Sequence, residues 1–451
     1  MRAFCVFLSK RKIIKKGWKI VLIPLTVLFL SLTGLYLAIQ SQEVQHFLTR
    51  KTTAILSKRM NINLHVEGVK FALFNKIILQ HVWIEDQQSD TLAYVRQVVA
   101  KIDEIRLCKK KIGINQIILD HSVFNISRDS TGVFNFNFLT QSSKPDTQGE
   151  WSFTCNNFRL KNSGFVYIAK GEKITEYGVD DINLRVDDFH YQPDSLGFRI
   201  ASLTLTDRKG FILNDLSATV VSDSGKFTVD NLSFETLNSK VNSASLMFYS
   251  EKLPGAEESR PKFELSLEKA RLSLADVAHF VPSIAGMNQV LEIDGHFSGS
   301  QGNLRAKDLV IKTGDYTRAE CDISVDFIEG ISEPFLFIDL NLLRTDFRDL
   351  ARIRLPKQSK FSFLMFPEQL VQSGLITYEG NFTGFLSDFV AYGTLKSQMG
   401  KIKTDLSFVP VDDNNIRYKG ILGTSDFALG QLIRSDRVGE ISFQGDRKSV
   451  V

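Results

Sequence analysis

The chain has 451 residues, 43% apolar and 24% charged, with a formal net charge of +4. That length exceeds one ordinary compact core, and the balance excludes a chain that is disordered throughout. Arg2, Lys10, Arg11, Lys12, Lys15, Lys16 and Lys19 crowd the first nineteen residues without an acidic neighbour, so the rest is slightly acidic, unlike the basic folded domain of a nucleic-acid binder.

Residues 1–19 read as a cytoplasmic basic tail, and residues 20–40 as a transmembrane helix. The run 20–39, IVLIPLTVLFLSLTGLYLAI, carries no charge. Twenty residues at helical rise span about 30 Å, the hydrocarbon thickness of a bilayer. Trp18 stands at its start, and Ile20, Leu22, Leu28, Phe29, Leu35 and Ile39 are candidate anchor residues. The cations before it place the N-terminus in the cytoplasm and the rest across the membrane. A cleaved signal peptide is the rival reading, but it would have a shorter apolar core and a small-residue cleavage site. After the anchor, Val44, Phe47, Leu48, Ile55 and Leu56 fall near one helical face, with Ser41 as a plausible N-cap.

From residue 62 onward, period-2 alternation dominates and predicts half-buried antiparallel strands. Phe263, Leu265 and Leu267 share one parity, as do Ile323, Val325 and Phe327, and Ile402, Leu406 and Phe408. These nine are the candidate lining of an apolar face. Abundant Phe (35) and scarce Pro (10) suit long ladders, since Pro cannot donate to one. Asp207 to Gly210 and Asp223-Ser224-Gly225 are turn signals.

Two stretches echo each other: IILQHVWIED at 77–86 and IILDHSVFNISRD at 117–129. In each, the apolar parity switches once near the His. That predicts a β-bulge or a short turn, with His81 and His121 solvated at or beside it. A metal pair would need further ligands, and none is in view.

Residues 41–141 form one helix-and-strand region, 142–150 a linker or exposed loop, and 151–445 a longer strand region. A second loop is expected at 253–262. Short helical turns interrupt the strands near Ser273, at Thr345 (TDFRDLARI) and at Ser425 (SDFALGQLI). The last two lie eighty residues apart and suggest a quasi-repeating fold. Cys5, Cys108, Cys155 and Cys321 lack CxxC or metal-ligand spacing and read as structural or free thiols, with a disulfide among the last three left open. No acid/base or nucleophile cluster stands out, so the chain is not expected to be an enzyme or to hold a cofactor or metal.

Several segments carry a family resemblance. They are VQHFLTRKTTAILSKRMNINLHVEGVKF, then KIILQHVWIEDQQSDTLAYVRQVVAKI, then Ile114-Asn115-Gln116-Ile117, and LITYEGNFTGFLSDFVAYGTLKSQMGKIKTDLSF with Gly380, Phe382, Gly384, Phe389 and Gly393. In this order, after a basic tail and anchor, they resemble the AsmA-like superfamily. Within it they look most like the TamB family of translocation and assembly module subunits, in its Bacteroidota form. The resemblance implies an elongated, curled antiparallel β-sheet with an apolar groove, anchored in the inner membrane with its bulk in the periplasm. It implies phospholipid as cargo toward the outer membrane. The alternative it leaves open is an assembly factor for outer-membrane or surface proteins, acting with an outer-membrane barrel partner. Such proteins are longer and end in a domain that meets the barrel, and no match to that domain is found here, so barrel binding does not carry over.

Residues 446–451, DRKSVV, are what the codons GAT CGG AAG AGC GTC GTG of a common short-read sequencing adapter encode. The natural chain is therefore expected to continue beyond Gly445. A long read of the locus with a stop codon after Val451 would refute this. Alternation alone does not separate an open groove from a closed β-sandwich, whose inner faces read alike.

Overall fold

The computed structural model describes residues 63–72, 75–138, 151–170, 174–252, 259–328, 330–331, 333–359, 362–371, 373–385, 387–410 and 416–450. The expected anchor, with Trp18, Ile20, Leu22, Leu28, Phe29, Leu35 and Ile39, lies outside them, as do the segment 41–60 and the loop 142–150. Among the described residues, no helix is long and apolar enough to cross a membrane. The described chain is mainly β, with twenty strands and a few single-turn helices. It divides into two compact units, the first ending at Ile182 and the second beginning at Asn183. The boundary falls inside strand β6 (Ile174–Gln192).

The first unit contains β1 (Asn63–Ala72), β2 (Lys76–Glu85), β3 (Thr91–Arg106), β4 (Lys111–Arg128) and β5 (Ser152–Lys170). The first four pair in sequence order and antiparallel. Val66, Val69, Val82 and Val95 form their core, extended by Phe71, Leu79, Val98 and Leu119. The expectation of a purely antiparallel sheet fails at β5, which pairs parallel to β4 from Lys111↔Ser152 to Arg128↔Ala169. A parallel pair needs a crossover rather than a hairpin. After β4 the chain turns at Asp129, whose carboxylate accepts the Thr131 and Val133 backbone N–H groups at 2.9 Å each. Phe138 then packs on Leu92, Ile84 and Ile126.

His81 and His121 both take left-handed backbone angles, φ 50° and 53°. β2 pairs at Gln80 and Val82 but skips His81, and β4 skips His121 in the same way. The parity switch read from the sequence is thus a real irregularity. The two echoing strands are not neighbours: each flanks β3, and both histidines stand level with Arg96. His121 is exposed, with Nδ1 3.0 Å from Asp120 Oδ1. His81 departs from the expected solvated state. It is half-buried, 2.8 Å from the Tyr94 hydroxyl and stacked on Trp83, because Trp83 and Tyr94 pair directly across β2 and β3.

Among the described residues, the second unit contains fourteen further strands. They are β7 (Ser195–Asp207), β8 (Ile212–Asp223), β9 (Lys226–Thr236), β10 (Lys240–Lys252), β11 (Ser259–Ser273), β12 (Val290–Ser300) and β13 (Asn303–Thr313). Then follow β14 (Thr317–Asp326), β15 (Phe335–Asp346), β16 (Leu375–Phe385), β17 (Asp388–Ser397), β18 (Gly400–Pro410), β19 (Ile416–Phe427) and β20 (Ile441–Val450). Each pairs antiparallel with the next. Ser224 and Gly225 both take positive φ between β8 and β9, which matches the strand twist in a two-residue hairpin. The expected loop at 253–262 is shorter than read, because Ser259 to Lys262 already pair with β10. Pro261 lies where β11 pairs with β10 alone, since β12 joins only from Lys262 onward, an edge position of the kind to which proline is confined in sheets.

Single-turn helices recur after every fourth strand: α1 (Leu274–Val277) after β11, α2 (Phe347–Ala351) after β15, and, beyond α3 (Glu368–Val371), α4 (Leu429–Ile433) after β19. α1 and α2 hold the preceding hairpin in the same way. Asp276 accepts Thr236 Oγ1 and Ser239 Oγ at 2.6 Å each, gripping the β9–β10 turn. Asp349 accepts the backbone N–H groups of Tyr316 and Thr317 at 2.6 and 3.1 Å, gripping the β13–β14 turn. In the third repeat the backbone does this, with Ala428 N–H donating to Met399 O at 2.7 Å. The repeat inferred from TDFRDLARI and SDFALGQLI is therefore four strands plus a helical turn.

Candidate functional site: the apolar face of the second unit

Directly paired residues in a sheet point to the same face, so the register can be followed across strands. One row runs Phe227, Phe248, Phe263, Gly299, Leu304 and Val325 on β9 to β14. It continues through Leu336, Gly384, Phe389 and Phe408 on β15 to β18. A second row, two residues along each strand, starts with Phe198, Val220, Val229, Leu246, Leu265 and Phe297. It goes on with Ala306, Ile323, Ile338, Phe382, Ala391 and Leu406. A third, nearer the helices, joins Ile293, Ile311, Ala319, Leu343, Tyr378, Leu395 and Ile402. None of the three rows contains a charged residue.

The nine residues expected to line an apolar face are mostly brought together. Phe263, Val325 and Phe408 share the first row, Leu265, Ile323 and Leu406 the second, and Ile402 is in the third. Leu267 pairs with Ala244 and Gly295 on the same face. Phe327 lies beyond the end of β14 and is 60% exposed. Sequence reasoning missed Phe227, Phe248, Phe297, Phe382 and Phe389. Each sits in a short alternating run, and glycines interrupt three of those runs (GHFSG, EGNFTGF and DFVAYG).

Those glycines have a packing reason. A Cβ on Gly299 would come within 2.6 Å of the Phe263 ring, and one on Gly393 within 2.4 Å of the Tyr378 hydroxyl. The aromatic side chains thus lie flat over their neighbours. Ring pairs extend along the first row, Phe227–Phe248 and Phe248–Phe263 at 6.3 Å each, and Phe389–Phe408 at 5.1 Å.

In the second row only Val220 and Ala306 are buried, and the other members stay half-buried. Phe227 and Phe248 in the first row are 37% and 45% exposed. Two sheets packed face to face would remove such rows from water. The buried clusters here, around Val241, Ala244 and Ala270 and around Ala306, Leu309 and Cys321, draw on neighbouring strands of the ladder alone. The half-buried members of the rows are flanked by their lateral neighbours and keep part of their surface in water.

Left-handed residues keep the face continuous. On β13, Asp308 (φ 52°) is the extra residue of a bulge, its N–H donating to Asp322 Oδ1 at 2.8 Å. Ala306 and Leu309 therefore share a face although three residues apart. Lys269 (φ 46°) does the same on β11 with Asp294 at 2.7 Å.

Burial pushes the thiol of Cys321 up, with Asp322 adding to the effect. Burial likewise raises that of Cys155. Both are free, as is the exposed Cys108. Among the described residues, no three side chains are grouped to hold a metal ion. Comparison with protein-family models, curated proteins and solved structures finds no match for this chain.

Proposed function

We propose that the chain is an inner-membrane-anchored, periplasmic protein whose apolar sheet face conducts phospholipid toward the outer membrane, acyl chains on the sheet and headgroups in water. The observation that carries this reading is the charge-free row from Phe198 to Leu406, half-buried at every member but Val220 and Ala306. Apolar area in water costs about 25 cal/mol per Å², and an acyl chain lying on these rows removes area from both partners. Each strand adds about 4.8 Å to the path. The TamB resemblance and the expected anchor at 20–40 supply the direction and the donor membrane. The reading needs no catalytic residue, cofactor or metal. Because the rows hold no charge, it also implies that the headgroup is not selected there.

A photoreactive residue at Phe408, with Ser407 on the opposite face of β18 as control, tests it in cells. Phospholipid adducts are expected at 408 and not at 407. Absence of lipid adducts at both positions would sink the reading, and adducts to a protein at 408 would favour the assembly-factor alternative.

A further inference from the structure

The opposite face of the second unit carries a row of different chemistry beside the helix-bearing edge. Register sets Arg271 opposite Glu292, Glu292 opposite Lys312, Lys312 opposite Arg318, and Arg318 opposite Arg344. Three cations thus stand side by side on β13, β14 and β15. Like charges directly opposite in a sheet are destabilising, so the arrangement calls for compensation. Part of it is internal: Arg318 meets Glu320 at 2.6 Å, and Lys312 lies 4.0 Å from Glu292. Arg271 and Arg344 have no carboxylate partner among the described residues. All of the row lines an open cleft of about 520 Å³, to which the β13–β14 turn contributes Gly314, Asp315 and Tyr316. Asp349 pins that turn through Tyr316 N–H, so this part of the cleft is held in place.

We propose that this cleft binds a phosphate-bearing anion, with Arg344 and Arg318 as a guanidinium pair and Lys312 as a third cation. A guanidinium presents a planar fork that matches two phosphate oxygens. Glu292 and Glu320 offset two of the four cations, and Asp315 in the lining is held by Arg352 at 3.0 Å, so a doubly charged phosphate would neutralise the two that are left. The site lies on the face away from the apolar rows and does not depend on the function proposed above.

The test uses the full chain in nonionic detergent. Saturating pyrophosphate, against chloride at equal ionic strength, is expected to raise the melting temperature by about 2–4 °C. Arg344→Gln should abolish that rise while melting no lower than the wild type without the anion, because it removes an opposed charge. Arg318→Gln should weaken the rise as well. No rise in the wild type, or an equal rise in Arg344→Gln, would overturn the proposal. Dihexanoyl phosphatidic acid compared with dihexanoyl phosphatidylcholine then separates the sources. Protection by the former alone assigns the phosphate to a lipid headgroup, and protection by pyrophosphate with neither lipid assigns a soluble ester.

Discussion

Asp276 sits half-buried at the first turn of α1, and burial by itself would raise its carboxyl. Hydrogen bonds from Ser239, Thr236 and Asn238 outweigh that and hold it below the ordinary aspartate value. Asp346, the N-cap of α2, is also lowered, mainly by the Arg348 side chain bonded to it at 2.7 Å. A carboxyl lowered on folding adds stability that is complete above its unfolded pKa, about 3.9, and is lost as pH falls through the folded value. Urea midpoints of the wild type should therefore drop steeply below about pH 4. Asp276→Asn should start lower at neutral pH and fall less on acidification. Parallel curves for the two proteins would show that Asp276 does not carry the acid sensitivity. The histidines are the contrasting case, since their meaning lay in the backbone. Sequence exposed the parity switch at His81 and His121, but not the Tyr94 and Trp83 contacts, because those come from a register set by β3.

At the scale of the element, the strands were legible wherever alternation ran unbroken, as in Phe263-Glu264-Leu265-Ser266-Leu267. The face they share was less legible, because β12, β16 and β17 place glycine where an apolar side chain was expected. The parallel β4–β5 pair was hidden, since strand periodicity is the same in either direction and the intervening crossover carries no strong signal. The basic row was hidden for a similar reason: its members lie one to a strand and meet only through register. Bulges are the elements with the clearest mutational signature. Removing Asp308 leaves Ala306, Lys307, Leu309, Val310 and Ile311 in regular alternation, so this deletion should yield folded protein with far-UV circular dichroism like the wild type. Removing Arg305 instead turns one half of β13 over and exposes its apolar residues. That variant should aggregate, and equal behaviour of the two deletions would refute the role given to the bulge.

At the scale of the molecule, the second unit has no centre. Its apolar clusters are local to a few adjacent strands, as in repeat proteins whose stability is summed over neighbours. The grip of α1 on the β9–β10 turn and of α2 on the β13–β14 turn makes the repeats interchangeable at their joints: Asp276 and Asp349 each stand three residues after an N-cap, Ser273 and Asp346. Excising residues 274–346 would therefore run β11 straight into α2 and offer Asp349 to Thr236 and Ser239 in place of Asp276. The expected product is a folded chain four strands, or about 19 Å, shorter. Cooperative melting near the wild-type temperature would bear this out, and collapse to an insoluble product would not. Evolution could then adjust the reach of such a chain in whole steps, as a carpenter lengthens a ladder by the section, without redesigning any rung.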